Sequence, residues 1–379
     1  MSEILIACGG TGGHLAPGIA LAEALLERGH TPVLFISHKR VDARLCEKYP
    51  GLRTERVPGA PFSLRPDRLT RFLIKQSQGL SFSRRYLRAT RPAAIVGFGG
   101  FTNAGVVLAG RQLGIPVALH EANRVPGRAI RVLSRIADRL YLPPGVRLPG
   151  RLGLMVRHTG LPVRREIVRL PRDQARAALG VDLTQKLLVV LGGSQGSGQL
   201  NQWVEQNLAS LALEGIQVWC VTGLGKGEIG VTERRSKTGS LVRAWSEPFT
   251  DRVSLLLSSA DLVVSRAGAG TIAELIRCET PAILVPYPEA ADNHQLANAR
   301  HFEQQGGGLV IEQATLSLLR QEVFDGIFND WLLNKFRANL HRMAQEYSTE
   351  TIVLDLEALA RRQPRERHTR HGSAAPPVT

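Results

Sequence analysis

Short apolar runs recur along the first 142 positions, and a stretch with apolar residues at helical spacing follows nearly every one. "EILIA" leads into 15–28, "PVLFI" into 41–48, "AAIVGF" into 103–113 and "PVALH" into 126–136, and "DRLYL" closes the series. An unbroken apolar run bounded by turn residues is the pattern of a strand buried on both faces, and its alternation with amphipathic helices builds a parallel sheet. The pattern stops at "LPPGVRLPGRLGLMVRHTGLPVRR", residues 142–165, which is dense in Pro, Gly and Arg and has no period. This predicts an interdomain connection. The alternation then restarts with "KLLVVLGG", 197–211, "IQVWCVTG", "SLVRAW", 250–259, "DLVVSRAG", 270–277, "PAILVPY", 292–305 and "GLVIE". Residues 313–360 read as helical and either complete the second domain or cross back over the first. The last stretch, "RRQPRERHTRHGSAAPPVT", has no apolar residues to bury and is expected to be disordered. The chain therefore divides into a first domain at 1–142, a connection at 143–165, a second domain at 166–360 and a basic tail at 361–379. The fold class is α/β: two Rossmann-like domains whose parallel sheets face each other across a cleft.

Four glycine-rich loops stand at strand ends. They are Gly9 to His14 in "CGGTGGH", Gly97 to Gly100 in "GFGGFTNAG", Gly192 to Ser197 in "GGSQGS", and "SRAGAGTIAE", where Arg266, Gly268 and Gly270 precede a helix expected to begin near Thr271. Glycine removes the Cβ that would keep an anion from the unpaired N–H groups of a helix N-terminus, so such loops suit diphosphates. A dinucleotide site fits less well. Leu15 stands where GxGxxG needs its third glycine, and "ISHKR" lacks the acid that grips a ribose, although Lys39 and Arg40 would suit a phosphorylated ribose. The phosphate-loop pattern GxxxxGK[ST] is absent.

Charge narrows the partners. The 379 residues carry 48 Lys and Arg against 33 Asp and Glu, a net +15, which calls for an anionic partner. A nucleic acid is disfavoured, because aromatic residues make up only 5% and no nucleic-acid-binding signature occurs. Cys8, Cys46, Cys220 and Cys278 show no metal-ligand or redox spacing and are expected to be reduced. No leader peptide or spanning segment is evident, so the chain is expected in the cytoplasm, with room for a membrane surface as partner.

Taken together, "GGTGGHLAPGIALAEAL", "GFGGFTNAG", "LHEAN", "GLPVR", "GGSQGSGQLN", "SRAGAGTIAELI" and "DNHQLANA", in this order between residue 3 and about 312, resemble the MurG family of peptidoglycan glycosyltransferases. The resemblance implies the GT-B fold and an inverting transfer of N-acetylglucosamine from UDP-N-acetylglucosamine to the muramyl sugar of lipid I, an undecaprenyl-linked acceptor, giving lipid II. It implies the acceptor on the first domain, the nucleotide sugar on the second, the cytoplasmic face of the inner membrane, and room for partners in cell-wall synthesis. Another UDP-sugar transferase of the same fold, acting on a different lipid or glycan, is the alternative. No DxD pair occurs, so no metal or other cofactor is expected, and loop amides, helix dipoles and arginines are left to meet the leaving diphosphate.

The same resemblance assigns residues. Gly9, Gly10, Gly99, Gly100, Phe101, His120 and Asn123 fall on the acceptor side. Thr11, Gly12, Gly13, Asn123, Arg164, Ser194, Gln195, Gly196, Phe249, Thr250, Arg266, Gly268, Gly270, Thr271, Glu274 and Gln295 fall among the donor contacts. Phe249 and Thr250 match the uracil-contacting region, and Gln295 and Asp292 the stretch that contacts the sugar. Glu274 is suited to a ribose diol, because a carboxylate accepts from two vicinal hydroxyls. An imidazole accepts a hydroxyl proton near neutral pH, which makes His14 the candidate general base and Glu121 the second choice. Ala122, Phe101 and Ala267 depart from the family's usual glutamine, tyrosine and serine. Between 53 and 91, cations including Arg65, Arg68, Arg71, Lys75, Arg84, Arg85 and Arg88 interleave with Leu69, Phe72, Leu73, Leu80, Phe82 and Leu87. That pattern suits attachment to an anionic leaflet.

Overall fold

The computed structural model describes residues 1–10, 12–61, 65–148, 155–193, 196–345 and 349–361. The first sheet contains β1 (Glu3–Ala7), β2 (Thr31–Ile36), β3 (Arg53–Arg56), β4 (Ala94–Gly97), β5 (Val117–His120), β6 (Arg139–Leu142) and β7 (Met155–His158), interleaved with α1 (Gly12–Glu27), α2 (Arg40–Cys46), α3 (Pro66–Thr90), α4 (Asn103–Gln112) and α5 (Arg128–Leu133). All its strands are parallel, in the order β3-β2-β1-β4-β5-β6-β7. The second half runs α6 (Arg172–Leu179), β8 (Lys186–Leu191), α7 (Gly198–Leu213), β9 (Ile216–Val221), β10 (Gly230–Arg235), β11 (Leu241–Glu247), α8 (Val253–Ser259), β12 (Leu262–Ser265), α9 (Ala269–Arg277), β13 (Ala282–Leu284), α10 (His294–Gln304), β14 (Gly308–Val310), α11 (Leu319–Ile327), α12 (Asp330–Gln345) and α13 (Thr349–Ala360). Its strands lie in the order β10-β11-β9-β8-β12-β13-β14, with only the β10–β11 pair antiparallel.

Strand order reverses between β1 and β4 in one sheet and between β8 and β12 in the other. Crevices open at such switch points, beyond the carboxyl ends of the strands. The four glycine loops leave these same strands: 9–14 follows β1, 97–100 ends β4, 192–197 follows β8 and 266–270 follows β12. The cores explain why the central strands read so clearly: Ile4, Leu5, Ile6, Val189, Val190 and Val263 are wholly excluded from solvent.

Two elements differ from expectation, and a third decides between two readings left open. Residues 155–158, assigned to an aperiodic connection, form the edge strand β7, whose half-buried and exposed positions carry no apolar run. Strand β10, exposed along its whole length, left no hydrophobic signal. Helix α13 crosses back over the first sheet, where Ile352, Val353, Leu356 and Leu359 join Ile4, Ile6, Leu21 and Leu25 in one core. Polar bonds fix that docking. Arg28 donates to Glu357 at 2.7 and 3.0 Å, His30 lies 3.0 Å from the same carboxylate, and Asp355 accepts from Arg139 and the Tyr141 hydroxyl, both at 3.0 Å. The hydrogen bonds from Arg28 and then His30 hold the Glu357 carboxyl down at about 2. The tail beyond 361 lies outside the described residues. All four cysteines are free; Cys8, Cys220 and Cys278 are buried and Cys46 is half-buried.

Candidate active site

On the first domain, the loop after β1 and the loop after β4 pack on each other. Gly10 and Gly100 have φ of +126° and +80°, and a Cβ on Gly100 would come within 2.7 Å of the Gly9 carbonyl. Only glycine fits that approach. The Thr102 hydroxyl donates to the Gly9 carbonyl at 3.0 Å, and Gln76 donates to the Phe101 carbonyl at 2.7 Å. Asp42, fully buried, accepts from the Gly10 N–H at 2.9 Å, the Ser37 N–H at 3.1 Å and the Ser37 hydroxyl at 2.6 Å. Lys39 donates to the Gly10 carbonyl at 2.7 Å and sets its ammonium 5.2 Å from the Phe101 ring centre. Lys39 thus serves this loop, whereas in the sequence it suggested only a rival cofactor.

His14 rises from the first turn of α1 against Gly99 and Gly100. Its ring nitrogens lie 3.3 to 3.4 Å from where a Cβ on either glycine would stand. The half-buried imidazole is driven down to about 4, first by desolvation and then by the charges of Lys39 and His294, against the opposing pull of Asp42. It is neutral at pH 7 and can accept a proton. Glu121, 4% exposed, is differently placed. One of its oxygens accepts from the Asn123 N–H at 2.8 Å and side-chain amide at 3.0 Å, and the other from the Gly127 N–H at 2.7 Å. That carboxylate is committed to folding its own loop. His120 is 1% exposed, stacks on Phe98 at 5.0 Å, and points Nε2 at the Gly160 carbonyl 3.2 Å away. A carbonyl only accepts, so Nε2 carries the hydrogen. The ring is buried within the domain, and desolvation by burial lowers it to about 4.

On the second domain, Gly268 caps α9, whose first turn carries Gly270 and Thr271; the Cβ direction of Gly270 is open. The first-turn N–H groups of a helix suit an anion. Beside it, Gly196 has φ +66°, and a Cβ on it would lie 2.3 Å from the Thr222 carbonyl. Ser197 caps α7 by accepting from Leu200 N–H at 3.3 Å. Arg266, 7% exposed, donates to the Ser197 hydroxyl at 2.9 and 3.2 Å, to Gln313 at 2.7 Å and to the carbonyls of Val285 and Pro286. Its charge therefore lies beneath the loop as a fixed brace. Gln295 Oε1 accepts from the N–H groups of Ala267 at 3.2 Å and Tyr287 at 2.9 Å, which leaves its NH2 as the donor. Arg164 donates to Glu274 at 3.0 Å. Phe249 is 38% exposed and Thr250 buried, its hydroxyl accepting from Arg252 N–H at 3.1 Å. Thr11, Ser194 and Gln195 lie outside the described residues.

The two halves meet around these groups. Asn298, 4% exposed, accepts from Arg124 N–H at 2.9 Å and donates to Asn123 at 3.1 Å and to the Ala267 carbonyl at 3.3 Å, tying both domains together. Asp292, in a left-handed turn at φ +50°, pairs with Arg128 and Arg131 across the cleft at 3.1 and 2.8 Å rather than lying free for a sugar. Asn298 was left outside the expected site. Its signal was its place in "DNHQLANA", but only tertiary contact separates such a bridge from a packing amide. Among the described residues, no group of three or more His, Cys, Asp or Glu is arranged to hold a metal ion.

Comparison with known proteins agrees over both halves. Residues 4–142 match the glycosyltransferase family 28 N-terminal domain and 187–347 the corresponding C-terminal domain. A UDP-N-acetylglucosamine–N-acetylmuramyl-(pentapeptide) pyrophosphoryl-undecaprenol N-acetylglucosamine transferase from Opitutus terrae is 60% identical over 379 residues, covering all of this chain and 98% of that one. The Thermus thermophilus protein of the same name is 40% identical over 313 residues, covering 81% and 87%. The crystal structure of Acinetobacter baumannii MurG superposes with a TM-score of 0.72 at 24% identity, covering 94% of this chain and all of that one, and shares the GT-B fold. The chain belongs to glycosyltransferase family 28.

Proposed function

We propose that this chain is an inverting N-acetylglucosaminyltransferase that moves N-acetylglucosamine from UDP-N-acetylglucosamine to the muramyl 4-hydroxyl of lipid I, forming lipid II. The observation that carries this reading is the 60% identity, end to end, with the Opitutus terrae transferase of that name. The geometry supports it. The acceptor hydroxyl gives its proton to neutral His14 as its oxygen bonds to the anomeric carbon, and the carbon–oxygen bond to UDP breaks on the opposite face with the electron pair leaving on the diphosphate. The developing charge meets the open N-terminus of α9, beside the guanidinium of Arg266. Glu274 accepts from the ribose diol, and Phe249 takes the uracil side. Glu121 acts by holding the 121–127 loop. The test is UDP release from UDP-GlcNAc, UDP-GalNAc and UDP-Glc with a short-chain lipid I analogue, with and without EDTA. Release confined to UDP-GlcNAc and undiminished by EDTA is expected; release with another acceptor only, or strict dependence on magnesium, overturns the reading.

The surface for lipid is α3. Leu80, Phe82, Tyr86 and Leu87 turn inward onto the core, whereas Leu73 and Ile74 stand 59% and 51% exposed beside the exposed Arg68 and Arg71. Among the described residues no helix is long and apolar enough to cross a membrane. We place this face on the cytoplasmic leaflet as a peripheral contact. A cation near an anionic leaflet contributes about 1 kcal/mol, so Arg68→Glu with Arg71→Glu is expected to weaken binding to anionic vesicles by at least about tenfold, as cosedimentation would measure. Unchanged binding rejects the placement.

A further inference from the structure

We propose that Tyr49 and Glu166 are positioning residues for the donor, fixing Arg164 against Glu274 so that the acceptor domain governs how firmly the donor domain grips the ribose. This rests on the reading of Glu274 as the ribose carboxylate. Tyr49 stands just past α2, on the first domain, and its hydroxyl donates to Glu166 Oε1. The same Glu166 oxygen lies 3.4 Å from Arg164 Nη1, and Arg164 Nη2 donates to Glu274 Oε1 at 3.0 Å. Arg164 Nε is buried and without a partner, so the flanking carboxylates orient the guanidinium. The Arg164 and Glu274 side chains are only 13% and 19% exposed, where a charged hydrogen bond is little weakened by solvent. With Oε1 taken, Oε2 is the oxygen left for a ribose hydroxyl.

A second contact holds the same segment over the donor domain. Lys48 pairs with Asp251, and the Phe249 ring lies 4.7 Å from the Lys48 ammonium and 5.2 Å from the Arg44 guanidinium. Residues 44–49 thus reach both the uracil side and the ribose side of the nucleotide pocket. If Tyr49 releases Glu166, Arg164 loses one of its two anchors and Glu274 gains rotamers, which costs affinity for the ribose without touching the reacting atoms.

Calorimetry with UDP and 2′-deoxy-UDP, on the full-length protein, isolates this effect. A hydrogen bond to a charged group supports a preference of wild type for UDP of about ten- to a hundredfold. Glu274→Ala tests the ribose reading by itself and should bring that ratio near one. Tyr49→Phe and Glu166→Gln should each lower the ratio by about three- to tenfold through UDP alone, raising KM for UDP-GlcNAc and leaving kcat at saturating donor unchanged. If Glu274→Ala abolishes the preference while Tyr49→Phe and Glu166→Gln retain it, the relay is wrong and the ribose reading stands. If Tyr49→Phe weakens both nucleotides equally, the residue is merely structural and the proposal fails. If Glu274→Ala leaves the ratio intact, the ribose reading falls and the relay with it.

Discussion

Replacing His14 by alanine is expected to lower kcat by about 10²- to 10⁴-fold, the range for loss of a positioned general base, with little change in donor KM. The imidazole is held against Gly99 and Gly100, its ring nitrogens 3.3 to 3.4 Å from where a Cβ on either would stand. Its basicity in the free protein is low, about 4, because desolvation and the charges of Lys39 and His294 oppose a proton. The ring is therefore neutral at neutral pH, and it is a weak base until the charge nearby changes. The two diphosphates supply that change: an anion close to the ring favours imidazolium and raises its basicity. The acid limb of kcat/KM, which reports free protein, should fall near 4 instead of the ordinary 6.5, and the limb of kcat should lie higher, as stopped-time assays across pH 4 to 8 would show. A kcat within threefold of wild type for His14→Ala, or a larger loss in a folded Glu121→Ala variant, would transfer the base role away from His14.

The second large effect lies in the donor loop. Gly196→Ala puts a methyl 2.3 Å from the Thr222 carbonyl at a residue with φ +66°, so both the local backbone and its neighbour must move. Ser197, which caps α7 and receives Arg266, is the next residue, and the shift carries straight into the proposed diphosphate site. UDP affinity is expected to fall by at least about tenfold, the consequence of one to three kcal/mol of strain. Gly198→Ala is the control: a Cβ there meets nothing within 4 Å, so calorimetry should return wild-type affinity. Equal affinities for Gly196→Ala and wild type would show that this loop does not carry the nucleotide.

Both experiments test features visible in the sequence, and it is instructive which others were hidden. The buried strands β1, β4, β8 and β12 and the glycine loops after them were legible, because full burial demands unbroken apolar runs and close approach demands glycine. The exposed strands β7 and β10 were not, since a strand without a buried face has no alternation to read. Among site groups, His14 and Glu274 could be named because their residue types suit one chemistry. Glu121 and His120 carried the same chemical promise, but residue type could not show that the carboxylate accepts from the N–H groups of Asn123 and Gly127 or that the ring stacks on Phe98. Asp42 and Lys39 reach Gly10 from 32 and 29 positions away, and Asn298 reaches Asn123 across 175, distances no local pattern spans.

The crossing of α13 bears on how this protein is made. The first sheet is synthesised long before residues 349–360 leave the ribosome, and until then Ile4, Ile6, Leu21 and Leu25 lack the apolar cover that Ile352, Val353, Leu356 and Leu359 provide. The first sheet therefore completes its core only after the second half of the fold has been translated.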